Sequence, residues 1–309
     1  MRLVAVADLH YDDDRHPRVD AIARAVRGAE ADVLVLAGDC AAEGPERIGD
    51  VLDLFGGFDG TRLMVPGNHD LWSDEPPFAT AQIYEDAVPE IARQHGFHCL
   101  DRGPTIVDGT AFVGSMGWYD YEMRQREAPV AGLTVTPIGV SRGDQGKMSF
   151  SGVPGARETD WEALRPEDYE ANGLIWQRGT RRPEVAVWND ALHIDWGRPA
   201  PAVAAWMADR LRSQIAEVRG RCKRVVGVTH FVPFPELAEY HLRSPRRAWA
   251  KAFLGSPLLG EALLEADDLA LVIYGHRHRQ EVREIRGVVT ADAAVHGGDD
   301  GPLLLTLPD

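Results

Sequence analysis

Leu3-Val4-Ala5-Val6-Ala7-Asp8-Leu9-His10 is a short, Val-rich apolar run that ends abruptly in two polar residues. A strand buried on both faces reads this way, as a near-continuous apolar stretch without alternation. The same grammar returns twice: Asp32–Ala37 (DVLVLA) leads into Gly38-Asp39, and Arg62–Val65 (RLMV) into Pro66-Gly67-Asn68-His69-Asp70. Between these runs, Val19, Ile22, Ala23 and Val26 recur at helical spacing, and Arg47–Phe55 reads as a second helix. A β-α-β-α-β order predicts parallel strands joined by right-handed crossovers.

Further along, Phe78–Gln94 reads as a long helix. Thr105–Val107 and Ala111–Val113 flank Asp108-Gly109-Thr110, a hairpin signal. After Pro201, Val203, Trp206, Met207, Leu211 and Ile215 share one helix face. Arg224–Val228 (RVVGV) and Leu269–Tyr274 (LALVIY) are two more buried strands, and between them Leu258–Leu264 reads as a helix capped by Ser256 with Pro257 at its first position. Glu281–Thr290 and Pro302–Leu307 read as closing strands. From about Tyr119 to Pro199 the periodicity is lost, as in Arg142-Gly143-Asp144-Gln145-Gly146-Lys147 and Arg178-Gly179-Thr180-Arg181-Arg182-Pro183. A structureless stretch of that length is rare in a compact domain unless it is functional or disordered, and Trp161, Trp176, Trp188 and Trp196 argue against disorder. The reading is one domain over 1–309, carrying an insertion at about 119–199 that folds over the site as a lid.

Metal-binding residue types stand just beyond the strands: Asp8-Leu9-His10, Gly38-Asp39, Gly67-Asn68-His69-Asp70, Thr229-His230 and Gly275-His276-Arg277-His278. In parallel sheets ligands bind at the carboxyl ends of the strands. Asp8 and His10 are two apart, so on extended chain both point the same way, and so do His276 and His278. Gly38, Gly67 and Gly275 precede their partners, where a missing side chain allows a sharp bend. Hard oxygen plus imidazole, without cysteine, suits Mn, Fe, Zn or Ni. Any one of these segments alone reads as a cap, turn or surface tract. Five in order, each closing a strand, do not arise readily by chance.

Asp-x-His, Gly-Asp, Gly-Asn-His-Asp, a lone His after a strand and Gly-His-x-His together resemble the signature of the calcineurin-like metallophosphoesterases, from Asp8 to His278. The resemblance implies an α/β fold, a four-layer αββα sandwich of two mixed β-sheets flanked by helices, with a dimetal site at strand C-terminal ends. It implies that Asp8, His10 and His278 hold one metal, that Asn68, His230 and His276 hold the other, and that Asp39 bridges them. His69 would stand near the leaving group without binding metal, and Asp70 would orient it. The cofactors implied are two divalent or trivalent ions, Mn first, with Fe, Zn or Ni as alternatives. Two metals clamp a phosphoryl group and activate a hydroxide for attack on phosphorus. The expected function is hydrolysis of a small phosphomonoester or phosphodiester. The alternatives are a nuclease or a nucleotide pyrophosphatase of the same fold, and, further off, a metal-dependent scaffold without turnover.

Composition narrows the partners. The chain has 309 residues, 44% of them hydrophobic, and a formal net charge of −15. Such a surface repels nucleic-acid backbones, so no nucleic-acid partner is expected. No apolar run approaches the roughly 18 residues that span a membrane. The opening lacks the marks of a signal peptide, and Cys40, Cys99 and Cys222 imply no disulfide framework, so the cytoplasm is the expected compartment. Asp12, Asp13 and Asp14 read as a solvated loop, and His241 and His296 lack motif partners. Cys40 beside Asp39 reads as a small buried residue open to oxidation. Arg243, Arg246, Arg247 and Lys251 are either an exposed helix face or an anion clamp. Trp118-Tyr119-Asp120-Tyr121 and Trp188-Asn189-Asp190 read first as core and second as a stacking surface for substrate.

Overall fold

Side chains alternate across a strand, and here the alternation feeds three separate cores. The computed structural model describes every residue outside 74–79, 128–132, 136–137, 143–147, 153–156, 171–172, 177–183, 240–243, 296–299 and 308–309. Leu3 and Ala5 of β1 (Arg2–Val6), Val33 and Val35 of β2 (Val33–Ala37), and Leu63 and Val65 of β3 (Thr61–Val65) turn inward. They meet Phe112, Val226, Val228, Leu271 and Ile273 of a second sheet. Val4, Val6, Leu34, Leu36 and Met64 turn outward instead, onto Val19 and Ile22 of the helix His16–Gly28 and Val51 and Leu52 of the helix Ile48–Leu54. On the far side of the second sheet, Ala111, Val113, Val272 and Tyr274 pack under Leu211 and Ile215 of the helix Ala200–Val218 and Leu263 of the helix Pro257–Leu263. The result is helix, sheet, sheet, helix. Each fully buried aliphatic side chain contributes roughly 1.5–3 kcal/mol. An exposed ion pair gives about 0–1 kcal/mol, so the cores hold the scaffold.

The first sheet runs β17-β1-β2-β3-β4, with β4 at His98–Cys99 and β17 at Leu303–Thr306. β1 to β4 are parallel and β17 is antiparallel. The second runs β15-β16-β14-β13-β6-β5: Glu281–Ile285, Val288–Asp292, Leu269–Tyr274, Arg224–Thr229, Thr110–Ser115 and Thr105–Val107. Its four inner strands are parallel and both edge strands are antiparallel. The sheets are stitched at the mouth of the site, where the Ala7 N–H donates to Ala293 O at 2.8 Å and Ala7 O accepts from Val295 N at 3.0 Å.

Two local features depart from the sequence reading. Glu281–Thr290 is a hairpin, not one strand: Arg286 (φ 52°) and Gly287 (φ 80°) make a tight turn like that of Asp108 (φ 46°) and Gly109 (φ 76°). Arg-Gly lacks the Asn-Gly or Asp-Gly signal. The helix ending at Gln94 opens into a π turn over Ile83–Ala87. Pro89 has no N–H to give, and its ring crowds the carbonyl of Glu85, which an ordinary turn does not accommodate. The beginning of that predicted helix lies outside the described residues.

The stretch 119–199 is not structureless. It carries an antiparallel sheet in the order β10-β7-β11-β12 (Arg157–Thr159, Leu133–Val135, Gly173–Trp176, Glu184–Val187) and a ribbon of β8 (Ile138–Arg142) with β9 (Met148–Gly152). Three- to five-residue strands give too short a window for periodicity to register. Trp118, Tyr119, Tyr121 and Trp161 are buried, and the core reading of these aromatics holds. Tyr119 stands edge-on to Phe253 at 5.1 Å and Tyr169 stacks on Trp249 at 4.3 Å. Ser256 caps its helix as expected, accepting from Leu258 N at 3.1 Å. Asp12 and Asp13 pair with Arg15 and Arg47 at the surface. His241, Arg243, His296 and the runs 143–147 and 178–183 lie outside the described residues. Among the described residues no helix is long and apolar enough to cross a membrane. The three cysteines are free thiols.

Candidate metal centre

Three of the parallel strands, β1, β2 and β14, deliver their polar residues through left-handed turns rather than along extended chain. Asp8 (φ 57°), His10 (φ 45°), Asp39 (φ 51°), His276 (φ 70°) and His278 (φ 56°) all hold the left-handed conformation. Such backbone costs of order 1–3 kcal/mol per residue and gathers at functional sites. Turns therefore replace the expected strand alternation: Asp8 and His10 still converge on one group of ligand atoms, whereas His276 and His278 part into two. Close approach explains the glycines. A Cβ on Gly38 would lie 2.4 Å from His230 Nδ1, and one on Gly67 would lie 2.1 Å from Asp39 Oδ1. Gly67→Ala is therefore expected to lower stability by about 1–3 kcal/mol, as overpacking does. Urea unfolding checks this, and an unchanged midpoint would contradict the crowding.

Two groups of ligand atoms form, each within 4.8 Å: Asp8, His10, Asp39 and His278 in one, Asp39, His230 and His276 in the other. His10 Nε2 and His278 Nε2 approach to 3.0 Å, and Asp8 Oδ1 lies 3.5 Å from His278 Nε2. Asp39 Oδ2 lies 3.6 Å from His10 Nε2 and 3.3 Å from His230 Nε2, is buried, and has no hydrogen-bond partner among the described residues. Asn68 Oδ1 lies 3.1 Å from His230 Nε2. Ligands placed about 2.0–2.2 Å around one cation stand about 3–3.5 Å from one another, so this spacing fits metal ions. The outer nitrogens are committed. His230 Nδ1 donates to Ala37 O at 2.9 Å and His276 Nε2 to Phe253 O at 3.2 Å, so His230 Nε2 and His276 Nδ1 are the nitrogens that would turn lone pairs to a cation.

The family comparison agrees with this geometry. The sequence matches the calcineurin-like phosphoesterase family over residues 1–280. The chain belongs to that family. It is accordingly a hydrolase of phosphate esters. No protein of curated function matches it significantly. Among solved structures, a phosphopantetheinyl hydrolase from Mycobacterium tuberculosis superposes with a TM-score of 0.63 at 18% identity, covering 95% of this chain and 88% of the other. At that identity the likeness is one of fold. A dimetal phosphatase from Danio rerio gives 0.48 at 13% identity, covering 94% and 86%. A putative 5′-nucleotidase from Staphylococcus aureus gives 0.45 at 11%, covering 99% of this chain and 51% of its own.

In this calcineurin-like phosphoesterase the charges of the site are in conflict. Burial alone would raise the Asp39 carboxyl, yet the imidazoles of His230, His69 and His10 hold it well below its ordinary value. Burial, the largest influence, would lower His230, but Asp39, Asp8 and the Ala37 carbonyl together outweigh it and take His230 up to about 9. Burial, opposed by His230 and reinforced by Asp39, brings Asp8 up to about 7, while burial takes His10 down to about 3. Two buried carboxylates among crowded imidazoles hold protons awkwardly, and a cation among them relieves the conflict. Cys40 is 1% exposed, and burial followed by Asp70, Asp39 and Asp8 pushes its thiol well up. It is a packed thiol whose burial disfavours the reactive thiolate.

His69 lies beside the two groups. Its backbone N–H donates to Asp39 Oδ1 at 2.9 Å, and its ring meets His10 edge-on at 4.4 Å and stacks on Trp72 at 3.7 Å. Asp70 does not orient that ring. The Asp70 carboxylate accepts from Gly67 N and Ala41 N, each at 2.8 Å, and so pins the loop that carries Asn68 to the turn after Asp39. Ala42 O is the partner of His69 Nδ1, at 2.7 Å. A backbone carbonyl in that role leaves no mark on the sequence. A cavity of about 320 Å³ opens over the site, with Asp39, Asn68, His69, His276 and His278 on its floor. Trp72, Trp188, Trp249 and Arg246 stand in its walls.

Proposed function

We propose that this enzyme hydrolyses a small phosphomonoester or phosphodiester with two metal ions. In this reading Asp8, His10 and His278 hold the first ion, Asn68, His230 and His276 hold the second, and Asp39 serves both. The observation that carries the reading is Asp39 Oδ2, a buried and otherwise unpartnered oxygen within 3.6 Å of His10 Nε2 and 3.3 Å of His230 Nε2. Bound ions supply Lewis acidity toward the phosphoryl oxygens and activate water. The protein's own share is to orient and to move protons. Ala42 O holds the His69 ring, which lines the cavity and gives a proton to the departing alcohol.

The walls favour an anionic ester with a flat or apolar remainder, because indoles stack and a guanidinium pairs with anions. Arg246 is exposed in the wall and has no hydrogen-bond or ion-pair partner among the described residues. The stretch 186–190 of the insertion completes the wall, consistent with a lid on a single domain. Arg246→Ala is expected to raise KM about 10- to 100-fold with little change in kcat, the scale of a charge-assisted hydrogen bond of about 1.5–3 kcal/mol. An unchanged KM would remove Arg246 from substrate binding.

The reading as a whole is tested by assaying protein of measured metal content against aryl phosphate mono- and diesters, nucleotides and phosphopantetheinyl compounds. Mn, Fe, Zn and Ni are each supplied in turn. Hydrolysis that rises with the second equivalent of metal supports it; absence of turnover with every ester and metal would refute it.

A further inference from the structure

Asp190 stands outside both ligand groups, 2% exposed, at the start of the short helix Asp190–His193. Its carboxylate is filled by three donors. Oδ1 accepts from Asn68 Nδ2 at 2.8 Å and from Trp72 Nε1 at 2.9 Å, and Oδ2 accepts from Trp188 Nε1 at 2.8 Å. A carboxylate can only accept here, so the amide it holds must present its NH2 outward and its Oδ1 inward, toward His230 Nε2. The same carboxylate fixes Trp72, whose ring stacks on His69. Trp188 then stacks on Phe253 at 4.6 Å, and Phe253 O is the carbonyl that fixes His276. Asn68, His69 and His276 thus each connect to 188–190. Asp8, His10 and His278 meet one another and Asp39, and they touch the other half only across the centre, where Asp8 accepts from the His276 backbone N–H at 2.9 Å and the His10 ring meets His69 edge-on at 4.4 Å.

We infer that Asp190 is the positioning residue for the Asn68/His230/His276 half of the centre, so that the insertion sets the affinity of one metal and not the other. The inference rests on the two-metal reading above. The chemical reason is that an amide bound to a cation only through oxygen is a weak ligand whose orientation must be imposed by its surroundings. Outer partners of this kind are worth about 10- to 100-fold in metal affinity.

The test is equilibrium Mn²⁺ binding, followed by the EPR signal of free ion, on metal-stripped wild type, Asp190→Asn and Trp188→Phe. Thermal melts of the stripped proteins serve as the folding control. Wild type must first show two binding steps; if it shows one, the two-metal reading fails, separately from this inference. In Asp190→Asn one of the two steps is expected to weaken by about 10- to 100-fold while the other stays within about threefold. Trp188→Phe keeps the stack on Phe253 and loses one donor, so it should show the same selective shift at smaller size, with a melt like that of wild type. Should Asp190→Asn fail to fold, Trp188→Phe decides. Two unshifted steps in a folded variant, or equal weakening of both, would overturn the assignment.

Discussion

Asp39→Asn should strip the centre. The substitution keeps the size of the side chain and one acceptor for the His69 N–H, so the fold has little reason to fail. It removes the negative charge and replaces one of two acceptor oxygens with an NH2 that repels a cation. Asp39 belongs to both ligand groups, so both ions should be affected, unlike the one-sided loss expected at Asp190. Turnover is expected to fall at least roughly 10³-fold, beyond the 10- to 100-fold typical of an outer partner. Elemental analysis alongside an aryl phosphate assay checks this. A variant that keeps both ions and wild-type turnover would end the bridging role. The altered protonation of the stripped site offers a second readout: Asp39 is the main group opposing burial at His230, which stands at about 9, so its loss should lower that value. An NMR titration of the stripped variant would show it.

His69→Ala should separate catalysis from metal binding. The ring nitrogen Nδ1 faces Ala42 O at 2.7 Å and must donate to it, so a proton on Nε2 makes the ring an imidazolium that can act as an acid. Removal of the ring is expected to leave both ions bound and to lower kcat for alkyl esters by about 10²–10⁴-fold. Nitrophenyl esters, whose leaving group departs without a proton, should lose far less. Equal losses for the two kinds of ester would show that His69 acts in some other way, for instance by holding Trp72 in the cavity wall through their 3.7 Å stack.

Much of the scaffold was legible before any coordinates. The runs at Leu3, Asp32, Arg62, Arg224 and Leu269 are strands, and each ends at the polar residues that gather in the site. These features are local: a buried strand is an apolar run, and its end is marked by a change of polarity within a few residues, three times with a glycine at Gly38, Gly67 and Gly275. The Asp108-Gly109 turn and the Ser256 cap are local in the same sense. Where no local signal exists the reading ran out, as at the Arg286-Gly287 turn and in the short strands β7 to β12.

The tertiary structure alone decided how the site residues are held. Whether Asp70 reaches the His69 ring or the amides of Gly67 and Ala41 depends on the path of a turn, not on the spacing of two residues. Asn68 and Asp190 are 122 positions apart, and nothing in either neighbourhood marks the pair. The left-handed turns at Asp8, Asp39 and His276 cost energy locally, so local preference argues against them. They persist because two sheets packed across a shared core fix where each strand ends. Residue types and their order were therefore carried by short-range chemistry, whereas orientation was carried by long-range packing, which appears only once the chain has folded.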